Sequence, residues 1–301
     1  MPKSKIEFAR RARKKVSAFS LQPSAFAGSA FTLLELLVVI AILGILAGMT
    51  VPVLKNFRKS DATLSASRQL LDGLARARQL AVSERTTVYM VFMPTNFWAN
   101  VWVDSGGNYT AAWNSLPLDQ RAAITNLLDK QVTGYTFVAQ GALGDQPGRH
   151  AWHYLEPWQN LPDGTFIAWM KLTNSLLTTQ PFTIIDSTDP NDPGKSYRIY
   201  GFATNAIPFP TATNAPLIFP FVAFNYLGQL TVDGQGMADR DEFIPLAHGS
   251  VLYSANEDKT LKFSSPDIAE TPPGNSTNSS YNIVHVDRLT GRAVLEFQKL
   301  R

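Results

Sequence analysis

Few residues in this chain combine type and position in a way that demands chemistry. Foremost is Glu35, the only charge in an apolar run from Phe31 to Leu54. An acidic side chain in a membrane helix costs about 2.5–3.5 kcal/mol at mid-span and less near an end, so Glu35 needs a partner. A cut just before Phe31 would leave a free α-amine four residues from Glu35. Within its own helix that ammonium points back towards solvent. On a neighbouring subunit shifted by one step it could meet Glu35 and neutralise it, so the chemistry is charge pairing between subunits.

Other candidate centres are weak. The chain has no Cys, which excludes disulfides, thiolate chemistry and a lipoprotein signal after Leu46-Ala47-Gly48, where Met49 stands. His150, His153, His248 and His285 are too scattered for a zinc motif, and no metal site is expected. The loop Asp233 to Glu242 has enough hard oxygens for Ca²⁺, but its spacing is not that of an EF-hand and a solvated turn is favoured. No Gly-rich phosphate loop, GxSxG elbow or HExxH helix occurs, so neither catalysis nor a cofactor is expected. Arg288, Arg292, Lys299 and Arg301 could form a basic patch for DNA, diluted by Val294 and Glu296, and nucleic acid is disfavoured as a partner.

The element that must position Glu35 is the run 31–54, FTLLELLVVIAILGILAGMTVPVL. Roughly 20 apolar residues at 1.5 Å each span a bilayer core of about 30 Å as a helix. A secretory signal would want an uninterrupted apolar core and a small-x-small cleavage site, whereas Glu35 interrupts the core and the helical pattern continues beyond it. A plain single-span anchor explains all but the coincidence of Phe31, Glu35 and Pro52. Gly44 and Gly48 form a GxxxG pair suited to close helix packing, and Pro52 should kink or locally unwind the helix.

A small residue, then Phe-Thr-Leu-Leu-Glu, then a long apolar run with a late Pro resembles the class III signal of type IV pilins and pseudopilins. The matching residues are Ala30 before the cut, Phe31 as the new N-terminus, Glu35 as its fifth residue and Pro52 as its twenty-second. Ala30 departs from the family's usual Gly. The resemblance implies cleavage between Ala30 and Phe31 and N-methylation of Phe31 by a prepilin peptidase, followed by packing of the apolar helices into a filament core. In the family, Gly44 and Pro52 would bracket a stretch that can lose helicity there.

Charge sets the topology. The leader, 1–30, holds seven basic residues against Glu7, a net +6, whereas the whole chain is +3, so the processed chain is acidic. The basic leader outvotes Lys55, Arg58 and Lys59, which places it in the cytoplasm and the remainder in the periplasm or outside. Residues 55–85 carry seven basic side chains against Asp61, Asp72 and Glu84. Acidic heads should therefore lie near the basic stems of neighbouring subunits.

After Pro52 the helical period resumes over 55–85, with Leu64, Leu71, Leu74, Ala77 and Ala81 near one face and Leu70 and Leu80 at its flank. From Thr86 the pattern turns to short β-rich runs: 86–93 and 97–104 read as a hairpin about Pro94-Thr95-Asn96, and 105–162 as an insertion into a head covering 86–301. Runs at 165–170, 182–186, 197–203, 217–224, 243–247 and 251–255 also read as strands. The last pair, YNIVHVD and AVLEF, is joined by a turn whose Gly291 can take positive φ. The expected class is α+β, a long N-terminal helix, half transmembrane and half amphipathic, packed on an antiparallel sheet.

The helix-to-strand run from Arg68 to Phe92, with Ala-Arg pairs at 75–76 and 77–78, together with Phe224 to Gln229 and Asp287 to Arg292, resembles the GspH/FimT group of minor pseudopilins. This implies a structural, non-enzymatic subunit of a type II secretion pseudopilus or related type IV filament. The implied partners are prepilin peptidase, other pseudopilin subunits, the inner-membrane assembly platform and, before assembly, membrane lipid. The alternative from another class is a filament-tip binding module, an adhesin or DNA-uptake minor pilin using the aromatic insertion or the C-terminal basic residues.

Overall fold

The computed structural model describes residues 32–142, 145, 151–173, 181–186, 195–277 and 282–297, and the side chains of 47–62, 173, 185, 186, 195 and 297 are outside that description. The leader, Ala30, Phe31, His150, Lys299 and Arg301 lie outside the described residues, as do the side chains of Gly48 and Pro52. The chain divides into two compact units, Met1–Pro52 and Val53–Arg301.

Helix α1 is assigned over Leu33–Glu84. Thr32 starts it as an N-cap, and no proline interrupts 33–51. In the first unit the described apolar side chains stand open: Leu33 is 82% exposed and Ile45 60%. Among the described residues no helix is long and apolar enough to cross a membrane, and description of the side chains in the expected span stops at Leu46.

In the second unit α1 buries Ala66, Leu70, Leu74, Ala77 and Ala81 completely. Their spacing of three and four keeps them on one side of a 3.6-residue helix. Leu74, Ala77 and Ala81 lie on this face as expected, but Leu70, expected at the flank, lies at its centre, while Leu71 is half-buried and Leu64 is 40% exposed. Gly73 marks the closest approach to the sheet, since a Cβ there would lie 3.1 Å from Met90 Cε and 3.5 Å from the Tyr135 ring. Burial of Leu70 and Leu74 contributes about 1.5–3 kcal/mol each.

The head continues with β1 (Thr87–Phe92), two short helices, α2 (Ala111–Ser115) and α3 (Leu118–Thr125), and β2 (Gly134–Gln140). Then come β3 (Trp152–Tyr154), β4 (Gln159–Asn160), β5 (Thr165–Ile167), α4 (Met170–Thr173), β6 (Phe182–Asp186), β7 (Lys195–Ile199), β8 (Ala203–Pro208) and β9 (Pro216–Phe224). The chain closes with β10 (Leu230–Thr231), β11 (Glu242–Leu252), β12 (Asp267–Glu270), β13 (Asn282–Val286) and β14 (Ala293–Phe297).

All pairings between these strands are antiparallel. One sheet runs β10-β9-β1-β2-β3, with β8 on β9 and β4 on β2; a second runs β12-β11-β13-β14, with β5 on β11; β6 and β7 form a separate hairpin. Mixed α+β architecture with antiparallel sheets is thus as expected.

Two expectations are corrected. Phe97 to Asp104 is not the hairpin partner of β1 but a run of turns and isolated bridges. The partner is β2, paired over six residues from Thr87 with Gln140 to Phe92 with Tyr135. Gly134–Gln140 therefore belongs to the sheet, and so does β3 beside it. The expected separate runs at 243–247 and 251–255 are joined in one long strand, β11.

The centre of the first sheet is buried on both faces, which is why β1 reads as a continuous apolar run without alternation. Val88, Met90 and Phe92 face the α1 core together with Phe137, Val222 and Phe224. Tyr89, Val91 and Met93 face a second core with Phe219 and Phe221, closed by Phe97, Trp102, Trp113, Ile124 and Leu128. The aromatic segment between β1 and β2 is thus an outer lid of the sheet, with Trp102 packed 5.8 Å from the Phe209 ring and Trp113 5.1 Å from the Phe263 ring.

Candidate functional site

Thr32 and Glu35 close a capping box. The Glu35 carboxylate accepts from the Thr32 backbone N–H at 2.9 Å and from the Thr32 hydroxyl at 2.9 Å, while Glu35 N–H donates to Thr32 Oγ1 at 3.2 Å. All these contacts to the carboxylate use Oε2, and Oε1 has no partner among the described residues. The box satisfies two orphan donors of the first turn and fixes the carboxylate at the start of the helix. The expected partner of Glu35 lies on another subunit only, and this one within the chain is additional to it. The Thr-x-x-Glu spacing is the sequence signal for it. A Cβ placed on Gly44 would meet no atom within 4 Å, so that side of the helix is open in the first unit.

In the second unit, three stretches far apart in sequence converge on one guanidinium. Arg78 Nε donates to the Thr290 carbonyl at 2.7 Å and to the Gly228 carbonyl at 3.2 Å. The loop Asn225 to Gln229 is held by buried Asn225, whose Oδ1 accepts from Leu227 N–H and Gln229 N–H, both at 3.0 Å. In the turn after β13, Asp287 Oδ1 accepts from Thr290 N–H at 2.7 Å, and Gly291 N–H donates to the Asp287 carbonyl at 2.8 Å. Gly291 takes φ +62°, as expected, and a Cβ there would come 2.0 Å from the Gly228 carbonyl oxygen. Of the two Ala-Arg pairs on the helix, the structure thus brings Ala77-Arg78 to the Phe224 to Gln229 run and the Asp287 to Arg292 turn, whereas Arg76 pairs with Glu156.

Three carboxylates of the acidic loop, Asp233, Asp241 and Glu242, have partners among the described residues. Asp233 Oδ1 accepts from Gln235 N–H and Gly236 N–H at 2.9 and 2.8 Å, which holds its carboxyl below the usual value. Asp241 accepts from Arg288 N–H at 3.0 Å and lies 3.0 Å from His285 Nε2. Glu242 pairs with Lys171, a fully buried ammonium that also donates to the Tyr200 carbonyl at 2.6 Å. Burial lowers the Lys171 pKa, and the Glu242 carboxylate opposes that shift. Among the described residues no three metal-binding side chains converge. His153 faces Asp145 at 3.1 Å, His285 lies between Asp241 and Glu296, and the His248 backbone is bracketed by Asn275, so these histidines occupy separate places.

Residues 28–51 match the family model described as the prokaryotic N-terminal methylation motif. The match covers Ala30, Phe31, Glu35, Gly44 and Gly48, and stops just short of Pro52. No curated protein and no solved structure matches the chain. The chain therefore carries a prepilin-type N-terminal methylation motif, which supports a type IV pilin-like protein processed by prepilin peptidase.

Proposed function

We propose that this chain is a minor pseudopilin, a structural subunit of a type II secretion pseudopilus or a related type IV filament, in the manner of the GspH/FimT group. The observation that carries the proposal is the methylation motif over 28–51, which begins just before a helix start whose carboxylate keeps one oxygen unpartnered among the described residues. The leader stays cytoplasmic, the apolar run crosses the inner membrane, and the head folds in the periplasm. Prepilin peptidase cuts between Ala30 and Phe31 and methylates Phe31. Other pseudopilin subunits and the inner-membrane assembly platform then draw the apolar helix into a filament core, with Gly44, Gly48 and Pro52 allowing close packing and local unwinding. The role is structural rather than enzymatic. The convergence of Arg78 with both later sequence stretches supports the subgroup, because it gives each of the three a common structural duty.

In this account Glu35 serves assembly. The Thr32 donors keep its carboxylate at the helix start, and Oε1 receives the α-amine of an adjacent subunit. Glu35→Leu makes the span more lipid-soluble while depriving that amine of its partner. The variant should fractionate with the inner membrane as the parent does and be depleted from sheared filaments. Parental levels in the filaments would remove the assembly role.

A further inference from the structure

A cleft of about 440 Å³ opens beside the β6–β7 hairpin, where three arginines meet from three separate stretches of chain. Arg198 comes from β7, Arg240 from the residue pair before β11, and Arg288 from the turn after β13. Tyr200 and Phe243 supply aromatic walls, and among the described residues the only carboxylate lining the cleft is Asp241. Both oxygens of Asp241 are engaged, one by Arg288 N–H and the other by His285 Nε2. Neither Arg198 nor Arg240 has an anionic partner among the described residues. Two of the guanidiniums are nevertheless held in place. Arg240 lies 3.8 Å above the Tyr200 ring, and the Arg288 guanidinium donates to the Asp239 carbonyl.

We propose that this cleft is a binding site for an acidic peptide segment of a partner protein, with side-chain carboxylates received by Arg198, Arg240 and Arg288. A concave site with excess like charge focuses its field on an incoming anion, and planar guanidiniums bind carboxylates through paired N–H donors. Preorganisation over Tyr200 lowers the ordering cost of binding. A nucleic-acid strand fits less well, because it needs a continuing basic track and the Asp241 carboxylate lines this cleft. The site is independent of the filament proposal, since none of its residues lies in the N-terminal motif.

The test is titration calorimetry on the detergent-solubilised full chain with acetyl-Glu-Asp-Glu-Asp-amide as the probe. Inorganic phosphate and a single-stranded oligonucleotide of about 12 nucleotides are the comparison ligands. Saturable peptide binding that weakens with salt is expected. It should fall by about tenfold or more in Arg198→Gln/Arg240→Gln, a change on exposed side chains that leaves the unfolding midpoint in place. The exposed pair Arg85→Gln/Lys262→Gln removes the same charge elsewhere and should keep parental affinity. Equal losses in both variants would reduce the effect to net charge and overturn the site. So would absence of saturable binding, phosphate binding as tight as the peptide, or tighter oligonucleotide binding that depends on Arg198 and Arg240.

Discussion

Arg78, on the stem helix, reaches across 212 positions of sequence to donate its Nε–H to the Thr290 carbonyl at 2.7 Å. That bond, with the 3.2 Å contact to Gly228, ties the helix to the C-terminal hairpin and to the loop after β9. Leu230 N–H adds a backbone bond to the Arg288 carbonyl at 3.0 Å, so loop and turn also hold each other.

Arg78→Gln should destabilise the head by about 1–2 kcal/mol, the range for a partly exposed charged donor serving two carbonyls. Gly291→Ala should cost more than Arg78→Gln. Its Cβ would meet the Gly228 oxygen at 2.0 Å, and the backbone there is left-handed. Thermal unfolding of the detergent-solubilised chain ranks the two. A Gly291→Ala protein as stable as the parent would show that the turn can move away from Gly228 and that the junction is loose.

The same turn predicts a pH signature. Hydrogen bonds from Thr290, first from its hydroxyl and then from its backbone N–H, hold the Asp287 carboxyl below its ordinary value of 3.8. A carboxyl depressed by folding contributes stability that is present above the unfolded value and is lost as pH falls through the folded one. The melting temperature of the parent should therefore exceed that of Asp287→Asn by a constant margin above about pH 5, and the margin should close below about pH 3.8. A margin that persists unchanged to about pH 2.5 would mean that the charge of Asp287 does nothing for the turn.

Local signals in the sequence carry much of this structure. The 3.6-residue period of 55–85, the positive φ at Gly291 and the final hairpin depend on near neighbours and are legible from residue order alone. The buried face of the stem keeps the expected Leu74, Ala77 and Ala81 but takes Ala66 and Leu70 in place of Leu64 and Leu71, because Ala66 and Gly73 contribute closeness rather than bulk and apolar size alone does not register them. The partner of β1 is hidden for a physical reason too. Phe97, Trp98, Val101 and Trp102 look strand-like, but they pack as a lid on the outer face of the sheet, while the true partner Gly134–Gln140 lies a long connection away. At the candidate sites, Glu35 is evident as a lone charge, whereas the Arg198, Arg240 and Arg288 cleft needs three distant stretches to fold together before it exists.

The central claim is that the chain is processed as a prepilin, and the most direct measurement is the intact mass and N-terminal fragmentation of the protein extracted from membranes. The account predicts an N-terminus at Phe31 bearing one methyl group on its α-amine, with residues 1–30 absent. An N-terminus at Met1, or one near Met49, would contradict it.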